Sequence, residues 1–243
     1  MDQSIAIEVE PRPQALAPKS LEASVDFTGD AYSWAAPLPG YDLNKRVLDV
    51  AIAVVVLAVL SPLWVAISLL IVLTSRGPVF HKGRVVGRGG RDFTWYKFRT
   101  MRVTDDAMHR EWIQSFISSD APFRPGVFKV TPDDRVTPVG RVLRRLSLDE
   151  IPQMFNVICG EMSIVGPRPP MDYEFELYTE QQRRRLAVKP GITGLHQVTQ
   201  RSRATFSAMV ATDLDYITRR SLLLDIKIMI LTISVMLAGS GAA

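Results

Sequence analysis

The hydrophobic positions of the chain are concentrated in one block, which predicts an apolar helix early in the sequence. Residues 47–73 are almost wholly apolar, and at about 1.5 Å per residue a helix of that length is long enough to cross a bilayer. Ser61 and Pro62 interrupt the block in its middle. Because proline lacks a backbone donor and its ring clashes with the preceding turn, we expect the helix to bend there. The Ser61 hydroxyl can then pair with a carbonyl that the bend frees.

The charges that flank this block favour a helix that enters a membrane and leaves it on the same side. Lys45 and Arg46 precede the block, and four basic residues follow it: Arg76, Lys82, Arg84 and Arg88. Basic residues are enriched on the cytoplasmic side of membranes, so both ends are predicted to face the cytoplasm. The pattern therefore favours a re-entrant hairpin, while a straight transmembrane span and a buried helix of a soluble protein remain as alternatives.

After the apolar block, the pattern predicts a small β element followed by helices. Residues 77–99 combine glycine-rich turns with an alternating aromatic segment, which is typical of short strands. Residues 104–106 predict a helix start, and the apolar stripe that follows is typical of a core or interfacial helix. Further helices are predicted at residues 140–146, 148–158, 172–187, 206–219 and 226–237. The last is too short to span a membrane.

Composition and charge narrow the possible partners. The chain has 243 residues, a formal net charge of +4 and one cysteine, Cys159, which excludes an internal disulfide. The mild excess of basic residues fits anionic lipid headgroups or phosphorylated substrates. Residues 1–42 are rich in Ala, Pro, Ser and acids and are predicted to form a disordered tail, not a signal peptide. The basic residues lack the aromatic interleaving of a nucleic-acid surface, so no nucleic-acid partner is expected.

Two adjacent carboxylates, Asp149 and Glu150, are the most informative candidates for chemistry. In a structural interpretation, Ser147 and Glu150 form a capping box at a helix start. In a functional interpretation, the aspartate attacks phosphorus to form an acyl phosphate. The neighbouring carboxylate then helps to bind Mg²⁺, a cation that prefers oxygen ligands. The residues alone leave both interpretations open.

Arginine and lysine side chains supply candidates for binding phosphate. Arg168 lies between two prolines, and its guanidinium group can bind phosphate oxygens in pairs. The alternative is a surface arginine in a turn. Further basic candidates, each of which also fits a solvated or headgroup-facing surface, are Lys97, Arg99, Arg141, Arg144 and Arg145. The sequence contains no P-loop, no zinc-ligand spacing and no Ser-His-Asp order.

Taken together, these residues resemble the bacterial sugar transferase family, the monotopic polyprenyl-phosphate sugar-1-phosphate transferases. The resemblance covers about residues 43–237. It rests on an ordered set of motifs: KR at 45–46 with Asp49, SP at 61–62, GPVF at 77–80, KFRTM at 97–101, LDEIPQ at 148–153, GEMSIVGPRP at 160–169 and PGITGL at 190–195.

The resemblance implies both a reaction and residue roles. The enzyme would transfer sugar-1-phosphate from a UDP-sugar to undecaprenyl phosphate and release UMP, which initiates exopolysaccharide or glycan assembly. Asp149 would be the nucleophile that forms a covalent phosphosugar intermediate, and Asp149 and Glu150 would hold the cofactor Mg²⁺. Ser61 and Pro62 would break the membrane helix. The residues assigned to substrate phosphate are Arg168, Lys97, Arg99, Arg145, Arg201 and Asp213.

The predicted fold is mainly α with a small β element. A tail (residues 1–42) precedes a re-entrant membrane helix (43–75) and a cytoplasmic catalytic domain with interfacial helices (76–243). The expected location is the cytoplasmic face of the bacterial inner membrane, where membrane lipids are partners and a homodimer is a reasonable assembly. Two other functions remain: a non-enzymatic adaptor that binds anionic lipid, and a membrane-associated phosphohydrolase that uses the same acids.

Overall fold

The computed structural model describes residues 31–102, 107–120, 135–200 and 204–237. The predicted helix start at residues 104–106, most of the predicted tail and Arg201 lie outside these ranges. Residues 31–42, which the sequence assigns to the tail, pack against the rest of the chain. The Trp34 indole Nε1 donates to the carbonyl of Arg184 at 2.9 Å, and the first helix already begins at Pro39.

The apolar block forms two helices that meet at a sharp bend. Helix α1 (Pro39–Val59) and helix α2 (Ser61–Thr74) are bent by 63° relative to each other. The Pro62 nitrogen cannot donate to the carbonyl of Ala58, and the Ser61 hydroxyl donates to that carbonyl instead at 2.8 Å. The predicted break and its polar compensation are therefore confirmed.

In the described part of the chain, no single helix has the length and apolarity needed to cross a membrane. The bent pair α1–α2 passes that test only when both helices are counted together. Their outward side chains are apolar, a surface that fits a lipid phase better than water. The exposed ones are Leu43, Val47, Val54, Val55, Val59, Leu63, Val65, Leu69, Leu70, Val72 and Leu73.

One acidic residue inside α1 points inward and fixes the helix to the domain. Asp49 is only 5% exposed. Its carboxylate accepts hydrogen bonds from the Ser163 hydroxyl at 2.7 Å and from the Ile164 backbone N–H at 3.1 Å. One turn earlier, Lys45 donates to Asp225 at 3.0 Å. These buried polar contacts set the rotation of α1, so its apolar face is directed away from the domain.

A β-hairpin follows the bent helices, as the alternating pattern predicts. Strand β1 (Phe80–Val86) pairs antiparallel with β2 (Asp92–Phe98), and His81 lies opposite Lys97. Phe98 packs with Ile67 of α2 in a small core, and the Trp64 ring lies edge-on to the Phe98 ring at 5.2 Å. The hairpin is thereby attached to the apolar helix α2.

The remaining described chain is helical around a second small sheet. Strands β3 (Ser163–Val165) and β4 (Gly191–Thr193) pair in parallel, and the main core lies between them and the helices, with Val157, Met162, Leu214 and Ile217 buried. The helices are α3 (Ala107–Ser119), α4 (Pro138–Arg145), α5 (Met154–Cys159), α6 (Asp172–Glu176), α7 (Glu180–Arg183), α8 (Leu195–Thr199), α9 (Phe206–Arg219) and α10 (Leu222–Leu237). Short 3₁₀ helices cover Arg88–Gly90, Leu148–Gln153 and Arg184–Ala187.

Two predicted helices are divided in the structure. The predicted helix at 148–158 is a 3₁₀ helix, Leu148–Gln153, followed by α5, and Pro152 inside the first piece removes a helical donor. The predicted helix at 172–187 is divided where Thr179 and Gln182 form a capping box that starts α7. The capping box predicted at Ser147 is wrong, since its side chain makes no capping bond and its φ is 54°.

Candidate active site

Asp149 lies at the start of a 3₁₀ helix that follows an unusual backbone turn. Ser147 adopts a left-handed conformation (φ 54°, ψ 22°), which is uncommon for a residue with a side chain. The chain then enters Leu148–Gln153, and the Asp149 side chain is almost buried, at 8% exposure for the residue. A strained turn directly before a buried carboxylate is a feature typical of functional sites.

Burial and neighbouring charges act on Asp149 in opposite directions. Burial raises the pKa of its carboxyl group, and so does the adjacent Glu150, whereas the positive charges of Lys97 and Arg144 lower it. The net pKa lies above the ordinary value. The two cations are therefore what favours the ionised form that a nucleophile needs.

Glu150, the second member of the acid pair, is held by the hairpin. The Lys97 ammonium donates to Glu150 Oε1 at 2.7 Å, and the same ammonium lies 4.2 Å from the centroid of the Trp95 ring. Strand β2 contributes both Lys97 and Trp95, and the 3₁₀ helix Leu148–Gln153 supplies the two acids. The strand therefore positions the cation beside the acid pair. The structure thus brings the predicted residues Lys97, Asp149 and Glu150 together.

Arg144, rather than Arg145, accompanies the acid pair. Arg144 is partly buried and its Nε donates to the Thr100 hydroxyl at 2.9 Å, whereas Arg145 is exposed. Sequence reasoning included both among the basic candidates but assigned only Arg145 to the site. Leu143 is the buried apolar residue of this turn of α4. The helical repeat places Arg144 nearer than Arg145 to that buried side, and this could have identified Arg144 from the sequence.

Arg99 is directed at the end of α2. It is 5% exposed, and its Nη2 donates to the carbonyl of Ser75 at 2.7 Å and to the Ser75 hydroxyl at 2.8 Å. A cation at a helix C-terminus satisfies carbonyls that have no partner within the helix. Arg99 therefore joins the hairpin to helix α2, and its predicted contact with substrate phosphate stays a prediction.

Arg168 lies in a different neighbourhood from Lys97. It is exposed, and it lines a cavity of about 60 Å³ with Trp112, Phe116 and the buried Glu174. Burial raises the pKa of Glu174, and the charges of Arg168 and Arg185 oppose that shift. The loop thus presents a guanidinium group beside a buried carboxylate, and phosphate binding by Arg168 stays a prediction.

Asp213 is buried inside the domain. Its two carboxylate oxygens contact Arg185 Nη2 at 2.5 Å and His196 Nδ1 at 2.8 Å. Although burial acts to raise it, the charges of Arg185 and His196 hold the pKa of Asp213 below its ordinary value. Asp213 thus contributes to a buried ion pair inside the domain. Its predicted contact with substrate phosphate stays a prediction. Arg201 lies outside the described residues.

The donor set of the acid pair fits a magnesium ion. Within the residues that the structure describes, no group of three or more His, Cys, Asp or Glu side chains is placed to hold a metal ion. Mg²⁺ does not require such a cage, because it is usually bound by one or two carboxylates together with waters and substrate phosphates. Asp149 and Glu150 provide two such carboxylates.

With the geometry known, comparison with known proteins assigns the chain to a class. The family model of the bacterial sugar transferases matches residues 40–239. The chain therefore belongs to the bacterial sugar transferase family, and the enzyme class predicted from the sequence, a phosphoglycosyl transferase, is confirmed.

Individual relatives support the same assignment. The chain is 40% identical over 200 residues to the exopolysaccharide production protein ExoY of Sinorhizobium fredii, a match that covers 82% of this chain and 88% of ExoY. It is 43% identical over 197 residues to the UDP-glucose:undecaprenyl-phosphate glucose-1-phosphate transferase of Xanthomonas campestris, covering 77% of this chain and 37% of that protein. It is 37% identical over 198 residues to the undecaprenyl-phosphate galactose phosphotransferase of Salmonella typhimurium, covering 82% and 41%. The chain thus matches nearly all of ExoY and less than half of the two transferases.

Proposed function

We propose that the chain transfers a sugar-1-phosphate from a UDP-sugar to undecaprenyl phosphate at a membrane surface and thereby initiates the assembly of a polysaccharide. The names of the Xanthomonas and Salmonella relatives support undecaprenyl phosphate as the acceptor. The name of ExoY supports exopolysaccharide production as the process.

The reaction proceeds in two displacements at phosphorus. An Asp149 carboxylate oxygen attacks the β-phosphorus of the donor, and the bond from that phosphorus to the oxygen bridging the two phosphates breaks. UMP leaves with the bonding electrons, and the sugar phosphate stays bound to Asp149. An oxygen of undecaprenyl phosphate then attacks the same phosphorus, which releases Asp149 and forms the lipid diphosphate sugar.

The observation that carries the proposal is the environment of Asp149. A buried carboxylate loses less of its nucleophilicity to hydration, and Lys97 and Arg144 favour its ionised form. The same two cations are donors for the oxygens of an incoming diphosphate. An adaptor that only binds lipid needs neither the burial of this acid nor the paired charges around it.

A magnesium ion held by Asp149 and Glu150 would neutralise charge on the diphosphate. The chain's own contribution is to hold the acid pair in place. The hairpin fixes Glu150 through Lys97, and the turn at Ser147 sets the direction of Asp149. The bent pair α1–α2, with its exposed apolar face, would lie in the cytoplasmic leaflet, where a long prenyl chain presents its phosphate.

Release of UMP by the purified full chain tests this function. UDP-glucose, UDP-galactose and other UDP-sugars are supplied with and without undecaprenyl phosphate and Mg²⁺. We expect one donor to give repeated turnover that requires both lipid and metal, and without lipid at most one UMP per protein molecule. Asp149→Asn is expected to abolish both signals while the thermal unfolding midpoint stays near that of the native chain. Asp92→Asn, which removes an exposed carboxylate of the hairpin, serves as the matched control.

The same assay separates the other two functions. A phosphohydrolase would release free sugar-1-phosphate into water without any lipid product. A lipid-binding adaptor would release no UMP from any donor. Substantial turnover by Asp149→Asn would show that another group is the nucleophile.

A further inference from the structure

A second charged cavity lies where α1 begins. It has a volume of about 130 Å³ and is bounded by the first turns of α1, by strand β3 and by residues 187–189. Five basic side chains line it: Lys45, Arg46, Arg88, Lys189 and Arg220. Two carboxylates, Asp42 and Asp49, also line it. None of the residues assigned to the acid-pair site is among its lining residues.

Both of these carboxylates, and the cations Lys45 and Arg220, are already engaged by protein groups. Asp49 accepts from Ser163 and Ile164, and Asp42 accepts from the Leu38 backbone N–H at 3.1 Å. Lys45 pairs with Asp225, and Arg220 Nη1 donates to the carbonyl of Ile217 at 2.6 Å.

Arg46, Arg88 and Lys189 have no carboxylate within ion-pair distance among the residues that the structure describes. Arg46 donates to backbone carbonyls at the end of α5, one of them that of Ile158 at 2.8 Å. Five cations against two carboxylates give the described lining of the cavity a net positive charge.

The absence of a side chain at Gly160 leaves a space between two of these cations. A Cβ atom placed on Gly160 would lie 3.5 Å from Arg46 Nη2 and 3.6 Å from Lys189 Nζ. Gly160 ends α5 with φ 85°, a conformation that glycine adopts without strain. Both cations thus face the same small space. Burial and the charges of Arg46 and Arg88 lower the pKa of Lys189, and Asp49 and Asp42 oppose that shift only in part, so an anion bound there would relieve the remaining repulsion.

The cavity lies beside the surface that fits a lipid phase. Leu43 and Val47, on the same turns of α1 as Lys45 and Arg46, are 66% and 62% exposed. They begin the apolar face that continues through the bent helix pair. Basic residues immediately beside such a face meet the phosphates of lipid headgroups when the face is immersed.

We propose that this cavity is a second phosphate-binding site, which takes the phosphate of an anionic lipid headgroup or of a free phosphate compound. Lys189 and Arg88, which form no ion pair within the described ranges, are its binding cations, and Arg46 forms its inner wall. The site is independent of the transfer reaction: its occupant would fix the depth and orientation of α1 and take no part in chemistry at Asp149.

Thermal unfolding of the full chain in a non-ionic detergent tests this site, since a ligand that binds only the folded state raises the unfolding midpoint. Dioctanoyl phosphatidylglycerol and inorganic phosphate are titrated separately at constant ionic strength. We expect the native chain to be stabilised. Lys189→Gln and Arg88→Gln are each expected to weaken the apparent affinity by about tenfold or more, as loss of a charge-assisted hydrogen bond does. Lys189→Arg keeps the charge and should retain most of the binding.

Two control variants make the result specific to the cavity. Arg91→Gln removes an exposed charge three residues from Arg88 but outside the cavity, and it should bind like the native chain. Lys97→Met removes a cation of the acid-pair site, so any loss of stabilisation in this variant reports phosphate bound at that site instead of in the cavity. A response to the lipid alone identifies a headgroup site, and a response to both ligands identifies a site for the phosphate group itself. No stabilisation, or equal stabilisation of the native chain and Lys189→Gln, would refute the proposal, as would binding lost only in Lys97→Met.

Discussion

The ammonium group of Lys97 lies 2.7 Å from Glu150 Oε1, and this pair joins the hairpin to the acidic turn. The side chain of Lys97 is 21% exposed and that of Glu150 is 32% exposed, so solvent screens the pair and its direct contribution to stability is small. Its effect on Asp149 matters more. The charge of Lys97 opposes the rise in pKa that burial causes at the neighbouring carboxyl group.

Lys97→Met is expected to move the acidic limb of the pH–rate profile to higher pH. The rate depends on ionised Asp149, so it rises as the pH passes through the pKa of that group. Removing Lys97 takes away a charge that lowers this pKa and leaves the negative charge of Glu150 unbalanced. Both changes raise the pKa, and the variant should lose most activity at low pH and recover part of it as the pH increases. UMP release under single-turnover conditions, measured across pH, gives the profile.

Lys82→Met provides the control for this shift. Lys82 is an exposed lysine on the same hairpin, 6.0 Å from the centroid of the Tyr96 ring. Its removal changes the net charge equally and should leave the profile in place. An identical shift in both variants would mean that the general field of the protein, not the Lys97 contact, sets the pKa of Asp149.

Asp213→Asn is expected to destabilise the fold by about 3–5 kcal/mol, because it removes the ion-pair partner of the buried Arg185. The side chains of Arg185 and Asp213 are each 1% exposed. Denaturant unfolding of the variant measures the loss. Asp215→Asn, two residues along the same helix, breaks a pair with the exposed Arg219 and should cost less than about 1 kcal/mol.

Acid unfolding adds a second readout for the same pair. The folded-state pKa of Asp213 lies below its ordinary value of 3.8. Its stabilising contribution is therefore present above that value and is lost as the pH falls through the lower folded-state pKa. The native chain should lose stability in this range, and Asp213→Asn should lack that component. Equal acid sensitivity in both proteins would show that Asp213 does not contribute to it.

The features that the sequence predicts well depend on neighbouring residues. The bend between α1 and α2 follows from Pro62, and the acceptor of the Ser61 hydroxyl follows from the helical repeat. The hairpin follows from glycine-rich turns and alternation. In each case the interacting groups lie close together in the chain, so the pattern contains the physical cause.

The features that the sequence misses depend on packing between distant segments. The Glu150 side chain pairs with Lys97, 53 residues earlier, instead of with the backbone of Ser147. The packing of α9 against the 3₁₀ helix Arg184–Ala187 brings Asp213 into an ion pair with Arg185. A charged residue in the sequence has many potential partners, and only the tertiary fold selects among them.

Arg144→Gln and Arg145→Gln compare two neighbouring arginines of the same helix. Arg144 is partly buried and acts on Asp149, whereas Arg145 is exposed. We expect Arg144→Gln to lower kcat/KM for UMP release by about 10²-fold or more, as the loss of a preorganised donor does. Arg145→Gln should stay close to the native value. A larger loss of kcat/KM in Arg145→Gln than in Arg144→Gln would indicate that Arg145 contacts the phosphate, as predicted from the sequence.

Replacing the break between α1 and α2 is expected to change the topology of the chain. In Ser61→Leu/Pro62→Leu the apolar block loses the break in its middle, so a single straight helix of spanning length becomes favourable. The two ends of the block would then lie on opposite sides of the membrane. A cysteine introduced by Asn44→Cys or Arg76→Cys, both exposed positions, reports on which side of the membrane that end of the block lies. Cys159→Ser is included so that the introduced cysteine is the one labelled.

Labelling of intact spheroplasts with a membrane-impermeant maleimide decides between the topologies. For the native sequence, both cysteines should react only after the membrane is permeabilised, because a hairpin keeps both ends in the cytoplasm. In Ser61→Leu/Pro62→Leu, one end should react from outside. Pro78→Ala removes a proline just beyond α2 and should behave like the native chain. Since lysines and arginines flank both ends, a straight helix must carry one basic cluster across the membrane. The variant is therefore expected to be a mixture of molecules with the hairpin and molecules with the straight helix. Outside labelling of the native sequence at either end would contradict the hairpin itself.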